Sequence, residues 1–519
     1  MTLSHSFTLP LVNLEYLSTK STVIELLDAL LSMPDTAGKA YQKLLVSALV
    51  DQPPSGRELA KGAMFWLCYG RRDLSEKELT EGMAVLRHSK EERNLLNSDF
   101  RDSALAHVTN GMAKFEPLHL STMTSFNFNY PVARLAYHTS QPEFRAQLQQ
   151  YLPHGHTRAA QACLRYMSLT YSTAKVTQTA VTTPFLPYAI QFWNEHASYG
   201  DQLALKEDIY AFFGNAGLIA WVFDTWQRGL SSSSIIRGWQ KKLPLHLPLA
   251  GNLPPLDLAT LFGLPKIVES LLQTGADSLR TFSDFSPLLH FAAVQDNPEI
   301  IRHLVQAKVP LAALDKSGQG ALHYAAQRGI YDNMRCLLEA GSSVDARDSN
   351  GNTALNFVAM IGSWKSIGLL VRHGATNNAD NDGRTALHAA CMNCHGFTAS
   401  VLIMEFGEVN ARDRQNRTPL HAAIFNGHTK VVSTLITHGA DLEACDDKSR
   451  TPLMYAVTTT SVDRVKIVES LVKAGANVEA RCKKTGQRAV DMARDAQAQS
   501  MMSRQCLDDI LEALRLQAS

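Results

Sequence analysis

Apolar positions in the second half of the chain fall into a pattern that returns at a fixed interval. In the stretch TPLHAAIFNGHTKVVSTLITHGAD, which begins at Thr418, a short apolar block is followed by a polar turn. Val431, Val432, Leu435 and Ile436 then recur at i, i+1, i+4 and i+5, the spacing that lines one face of an α-helix. Thr418 and Pro419 start the first helix, where proline loses nothing because its N–H would be unpaired in any case. Ala422 and Ala423 are small enough to let neighbouring first helices approach closely. Gly427 ends the first helix, and Gly439 supplies a left-handed cap to the second. The same offsets recover Gly329, Gly341, Gly362 and Gly374. Corresponding starts lie at Pro254, Pro287, Gly320, Thr353, Thr385, Thr418, Thr451 and Arg488, in steps of 33, 33, 33, 32, 33, 33 and 37 residues. The pattern predicts about eight helix pairs, each burying its apolar face on the next.

The period and the T-P-L-H-x-A signature, best kept at Thr418 and as TALHAA at Thr385, resemble ankyrin repeats. That resemblance implies a stacked surface for holding partners rather than a catalytic pocket. It also implies a role for the fourth position, which reads Asp257, His290, His323, Asn356, His388, His421, Met454 and Asp491. In the ankyrin pattern this histidine bonds the backbone of the neighbouring turn. A shared metal is not expected for the row, because stacked units stand about 10 Å apart, a helix diameter. The last unit reads as a cap, with Leu507, Ile510, Leu511 and Leu514 inward and Asp508, Asp509, Glu512 and Arg515 outward, as a solenoid end in water requires. The longer step before it reflects an insertion in TTTSVDRVK.

Residues 1–228 show no repeat. Residues 1–56 carry apolar positions at helical spacing, punctuated by Pro34. Residues 57–86 read as two amphipathic helices joined by a polar turn, with Ser75 and Glu78 as a capping box for the second. A β-leaning stretch at 126–138 precedes helices near 156–168 and 184–196. The longest apolar run, 209–223, predicts one buried helix and is too short to span a bilayer. Ser- and Pro-rich residues 229–252 read as a linker.

Several segments here resemble fungal STAND-type proteins that join a NACHT NTPase, a winged helix, a helical region and ankyrin repeats. They are LLSMPDTAGKAYQKLL, AMFWLCYGRRDLSEKELTEGMAV, VARLAYHTSQPEF, HTRAAQACLRYMSL and TPFLPYAIQFWNEHA, in the family's order. The resemblance implies a winged-helix-like domain at 57–145, a helical domain at 146–228 and the repeat domain at 253–519. The expected fold is therefore mainly α, a helical front with a winged-helix-like element followed by an ankyrin-repeat solenoid. No G-x-x-x-x-G-K-[ST] occurs in the sequence, so the phosphate cradle of the NTPase is not carried over. Residues 57–86 also admit a helix-turn-helix reading. Its would-be reading helix carries Glu76, Glu78 and Glu81 against Lys77 alone, which would oppose phosphates, so direct nucleic-acid binding is not expected.

A net charge of +1 gives no global pull toward nucleic acid or membrane, and 45% hydrophobic against 19% charged residues marks a globular chain. The start MTLSHSFTLP lacks the basic region and apolar core of a secretory signal. Eight dispersed cysteines fit free thiols in a reducing compartment, cytoplasmic or nuclear. Cys391-Met-Asn-Cys394-His395 matches a haem-attachment string, but it lies inside a repeat, where Cys394 takes the helix-ending glycine position and packing is the expected role. His154 and His156 read as a solvated turn. No G-x-S-x-G or H-E-x-x-H occurs, so neither catalysis nor a cofactor or metal is expected.

Hairpin tips and the exposed side of the first helices form the concave groove of ankyrin stacks. Counted from each unit's start, this gives Lys316, Arg328, Met360, Ile361, Arg384, Met392, Arg414, Arg417, Phe425, Lys448 and Arg450 as candidate partner-binding residues. Cations with apolar residues between them suit an acidic protein segment, and arginine makes bidentate contacts to carboxylates. The sequence supports a non-catalytic interaction scaffold with a regulatory role. It leaves open a transcription coregulator that binds a transcription factor, and the sensor half of a split STAND system.

Overall fold

The computed structural model describes residues 152, 154–177, 185–229, 253–276, 288–461, 463–499 and 502–515, with scattered positions between 65 and 86. The residues expected to form the segment at 1–56, most of the winged-helix-like span 57–145, Ser75 of the capping box, the β-leaning stretch and the linker before 253 lie outside these. The chain divides into two compact units, Met1–Ile236 with Pro248–Leu258, and Arg237–Leu247 with Ala259–Ser519.

In the first unit, α1 (Gly155–Thr177) packs along α2 (Leu186–Tyr199), followed by α3 (Lys206–Phe213) and α4 (Ala216–Gly229). The core is aromatic. Trp66, Tyr166, Phe185, Tyr188 and Trp193 are almost wholly buried, and the Trp66 ring stands edge-on to Phe185 and Tyr188 at 5.2 and 5.5 Å, the arrangement ring quadrupoles favour. The expected single helix at 209–223 is instead two, α3 and α4. The chain breaks at Gly214–Asn215, where the Asn215 side chain accepts the Leu218 N–H at 3.0 Å and caps α4. Glu81, expected on an exposed acidic face, turns inward. One of its carboxylate oxygens accepts the Tyr166 hydroxyl at 2.5 Å and the Phe185 N–H at 2.9 Å.

The expected turn at His154–His156 is also corrected. His154 is exposed, with φ +56°. His156 is half-buried, and its Nδ1 meets His196 Nδ1 at 3.0 Å, while His196 Nε2 meets the Tyr188 hydroxyl at 2.9 Å. Burial pushes both imidazoles below their ordinary pKa, His196 well below.

From α5 on the helices alternate between inner and outer positions. The pairs are α5 (Pro255–Leu261) and α6 (Pro265–Gln273), α7 (Leu288–Val294) and α8 (Pro298–Gln306), and α9 (Ala321–Arg328) and α10 (Tyr331–Glu339). They continue with α11 (Ala354–Ile361) and α12 (Trp364–Arg372), α13 (Ala386–Met392) and α14 (Gly396–Phe406), and α15 (Pro419–Phe425) and α16 (Thr429–Thr437). The last are α17 (Pro452–Thr458) and α18 (Arg464–Lys473), and α19 (Ala489–Ala498) and α20 (Arg504–Arg515). No strand occurs among the described residues. From α7 on, inner helices pack on the next inner helix and outer on outer, so the fold is a solenoid. In the terminal pair Ile510 and Leu514 are buried, Leu507 and Leu511 half-buried, as a cap requires.

In three units the fourth-position histidine ties the unit twice. Nδ1 of His323, His388 and His421 accepts the backbone N–H of Gly320, Thr385 and Thr418 at 3.0, 3.2 and 3.2 Å. Nε2–H of the same residues donates to the carbonyls of Ala346, Arg417 and Arg450 in the next hairpin, at 2.9, 3.1 and 3.4 Å. This pattern requires the neutral Nε2–H tautomer. Asn356 takes over the first bond, accepting the Thr353 N–H at 2.9 Å. Burial pushes all three histidines below their ordinary pKa, His421 down to about 4.

Candidate functional site

The candidate binding face comprises two rows that the repeat generates. The first is the hairpin row. In five units an aspartate closes the hairpin: one carboxylate oxygen of Asp315, Asp348, Asp380, Asp413 and Asp446 accepts the N–H groups two and four residues on, at 2.7–2.9 Å. The tips then bond to one another through backbone. Ser349, Asn381, Arg414 and Asp447 donate N–H to the carbonyls of Ser317, Asn350, Asp382 and Gln415 at 2.8–3.0 Å. Tip side chains therefore keep a fixed register from unit to unit.

The second row lies at the turns between inner and outer helices. His395 Nε2 donates to the Met360 carbonyl at 3.0 Å, His428 Nε2 to the Met392 carbonyl at 3.0 Å, and the Thr459 hydroxyl to the Phe425 carbonyl at 3.3 Å. Each bond comes from the next unit. Met360, Met392 and Phe425 are thus pinned at equivalent places, with Met392 37% and Phe425 61% exposed. The turn geometry needs left-handed residues. Gly362 has φ +78°, and a Cβ there would stand 2.4 Å from His395 Nδ1. Cys394 occupies the corresponding place with φ +64°, as its position in the repeat predicts, while Cys391 is buried in the core.

The expected site residues divide into two kinds. Lys316, Arg414 and Lys448 are exposed at the tips, and Ile361, Met392 and Phe425 at the turns. Met360 is half-buried. Arg328 is half-buried beside Ile361, whose Cδ1 lies against Gly329. Burial lowers the Arg328 pKa, and no ion pair holds it among the described residues.

The arginines just before the Thr positions depart from their expected exposure. Arg417 reaches back to Asp413 through Nη2 at 2.7 Å and Nε at 2.8 Å, and Arg450 to Asp446 at 2.7 and 3.0 Å. The aspartate side chains are 3% and 4% exposed and the arginine side chains 25% and 24%. Arg450 also lies 4.4 Å over the Tyr455 ring. Arg384 pairs more loosely with exposed Asp382 at 3.1 Å. Burial alone would raise the pKa of Asp413 and Asp446; the arginine and hairpin N–H groups more than offset this, and both carboxyls sit below their usual range. Arg417 and Arg450 are therefore hairpin clamps whose charge is largely compensated.

Three features escape the sequence reading. Asp413 and Asp446 recur five residues before the Thr position, a visible signal, but they read as ordinary polar tips. Tyr455, buried under Arg450, comes within 6.2 Å of the Phe425 ring and looks like one more core residue of its helix. Trp364 and Phe397 fall at the starts of outer helices, away from the offsets of the groove.

No histidine, cysteine or acidic cluster able to hold a metal occurs among the described residues. No described helix is long and apolar enough to cross a membrane. What the arrangement offers is a row of oriented cations and a row of oriented apolar side chains, the chemistry of recognition.

Residues 256–348, 335–413 and 399–482 match the family described as ankyrin repeats, three copies. Among solved structures the chain is similar to the human ASB11 ankyrin repeat domain, with 23% identity over 43% of this chain and 96% of that one, at a TM-score of 0.39. It is also similar to the ankyrin repeat domain of Bcl-3, described as a member of the IkappaB protein family, with 27% identity over 43% of this chain and 99% of that one, at 0.38. No curated protein matches the chain. The second half of this chain is an ankyrin-repeat array, a fold that serves as a protein–protein interaction scaffold.

Proposed function

We propose that the array holds an acidic, extended segment of a partner protein between the hairpin and turn rows. Met392 and Phe425 act as apolar anchors, and Lys316, Arg414, Lys448 and Arg328 supply the attraction. The observation that carries this reading is the turn ladder. Three successive units fix the backbone carbonyl at one offset through a bond from the next unit, and in two of them the side chain carried there, Met392 or Phe425, is exposed, the Phe ring 61%. Arg384, Arg417 and Arg450 shape the tips and contribute little free charge. Catalysis has no part in this role.

The test is recovery of partners by the full chain and by two variants. Arg414→Glu with Lys448→Glu, both at exposed positions, should lose the captured partner while keeping the melting curve, and Phe425→Ala should weaken capture. Full retention by both variants would sink the proposal. A partner set that depends on this face and consists of DNA-binding regulators makes the chain a transcription coregulator. A separate NACHT NTPase in that set makes it the sensor half of a split system, the role the front half's resemblance implies.

A further inference from the structure

Among the described residues, the outer face of the solenoid is polar except at one place. α10 exposes Asp332 and Glu339, α16 exposes Lys430, Ser433 and Thr437, and α18 exposes Lys466 and Lys473. On α12 and α14, by contrast, Trp364 is 46%, Phe397 63% and Met404 70% exposed. Phe397 and Met404 are seven residues apart, so they share one face of α14, with half-buried Val401 between them. Trp364 joins α12 to this patch through an edge-on contact with Phe397, ring centroids 5.3 Å apart. Gly368, one turn on from Trp364, leaves a notch: a Cβ there would meet only the Arg372 guanidinium, at 3.9 Å. A contiguous exposed apolar patch rimmed by charge is the mark of an interaction site.

The charges around the patch say what covers it. On the α12 side stand Lys365, its Nζ 5.6 Å from the Trp364 ring centroid, and Arg372, whose Nε donates to its own helix at the Gly368 carbonyl. On the α14 side stand Glu405 and, just past the helix, Glu408. None of Lys365, Arg372 and Glu405 has an ion-pair partner among the described residues. A uniformly acidic partner would meet Glu405, and a uniformly basic one would meet Lys365 and Arg372. A surface with cations along one edge, carboxylates along the other and apolar rings between is complementary to itself after a two-fold rotation. An isologous contact needs that property, since the same patch serves on both subunits.

We infer that this face is a homodimer interface. α12 of one copy lies against α14 of the other, Phe397 and Met404 enter the notch at Gly368, and Lys365 and Arg372 face Glu405 of the second copy.

Sedimentation equilibrium on the full chain across the micromolar range tests this. The natural chain should show a concentration-dependent monomer–dimer equilibrium. Met404→Asp, at a side chain with no ring contact to lose, should weaken it at least tenfold, and Phe397→Asp likewise. Lys365→Glu and Glu405→Lys should each weaken the dimer, and the two together in one chain should dimerise more tightly than either alone, because each reversed charge then meets its reversed partner across the two-fold while Arg372 stays unreversed. A chain that stays monomeric throughout overturns the inference. So does a dimer indifferent to Met404→Asp, or one in which the double reversal is no better than the single changes.

Discussion

His323, His388 and His421 each make two bonds that only the neutral imidazole can make. Nδ1 of His421 accepts from Thr418 while Nε2–H donates to Arg450, so a second proton would face the Thr418 N–H at 3.2 Å. Replacing His421 by Ala leaves that N–H and a carbonyl unpaired in the interior and should cost on the order of 1 to 3 kcal/mol in denaturant melts. The same chemistry sets a pH dependence. The unfolded chain takes up protons on histidine near pH 6.5, at about its ordinary value, whereas folded His421 does so only at about 4 and His323 and His388 also below their ordinary value. Stability is therefore full above about pH 6.5 and is lost as the pH falls through that window. Asp413 and Asp446, depressed in the folded chain, add a loss of the same sign below their ordinary range. Melts at pH 7.5 and 5 that coincide would remove the histidines from this account. Arg417→Glu is a second residue-scale test. It sets a carboxylate against buried Asp413 and should lower stability by on the order of 1 to 3 kcal/mol, less than a fully buried pair because the guanidinium is partly screened by solvent. Arg414→Glu, at an exposed tip, should leave the melt unchanged.

At the scale of the element, the turns between paired helices are where sequence and geometry agree most closely. Gly362 and Gly374 both have positive φ, yet only at Gly362 would an added Cβ meet a neighbour, His395 Nδ1 at 2.4 Å, while a Cβ at Gly374 would meet nothing within 4 Å. Gly374→Ala should cost about 1 to 2 kcal/mol, the strain of a left-handed L-residue. Gly362→Ala should cost more, because the His395 ring must also leave the Met360 carbonyl. Equal losses in urea midpoints would show that the His395 contact is dispensable. The repeat, its glycines and its histidines were legible because they recur at one period, and each unit's local chemistry dictates the same two helices. The free side chains were less legible. Arg417 and Arg450 read as solvent-facing because offset alone says nothing of the aspartate four residues earlier, whose carboxylate the hairpin has already buried. Trp364 and Phe397 were passed over because an apolar residue at the start of an amphipathic helix has the same letters whether it faces core or solvent. In the first unit the apolar run 209–223 hid a break, since Asn215 reads as a polar interruption until its side chain is seen capping α4.

At the scale of the whole molecule, a net charge of +1 means that any electrostatic steering comes from how charge is arranged rather than from its sum. Lys316, Arg414 and Lys448 lie on one row whose tips are locked to each other through backbone, while Arg417 and Arg450 spend most of their charge on the hairpin aspartates. An acidic partner would therefore gain mainly in association rate from the exposed tips and in lifetime from the apolar row. These two contributions separate experimentally. Raising salt from low to physiological ionic strength, which shortens the Debye length to about 8 Å, should slow association without greatly changing dissociation. Arg414→Glu with Lys448→Glu should do the same at low salt and lose most of the salt dependence. Phe425→Ala should act the other way, speeding dissociation by an amount worth roughly 2 kcal/mol if the ring is a central anchor, with the salt dependence intact. Surface-plasmon kinetics on a captured partner distinguish the two patterns. If Phe425→Ala alters neither rate while the tip reversals alter both, the turn row is only a scaffold for the hairpins, and recognition rests on the tips alone.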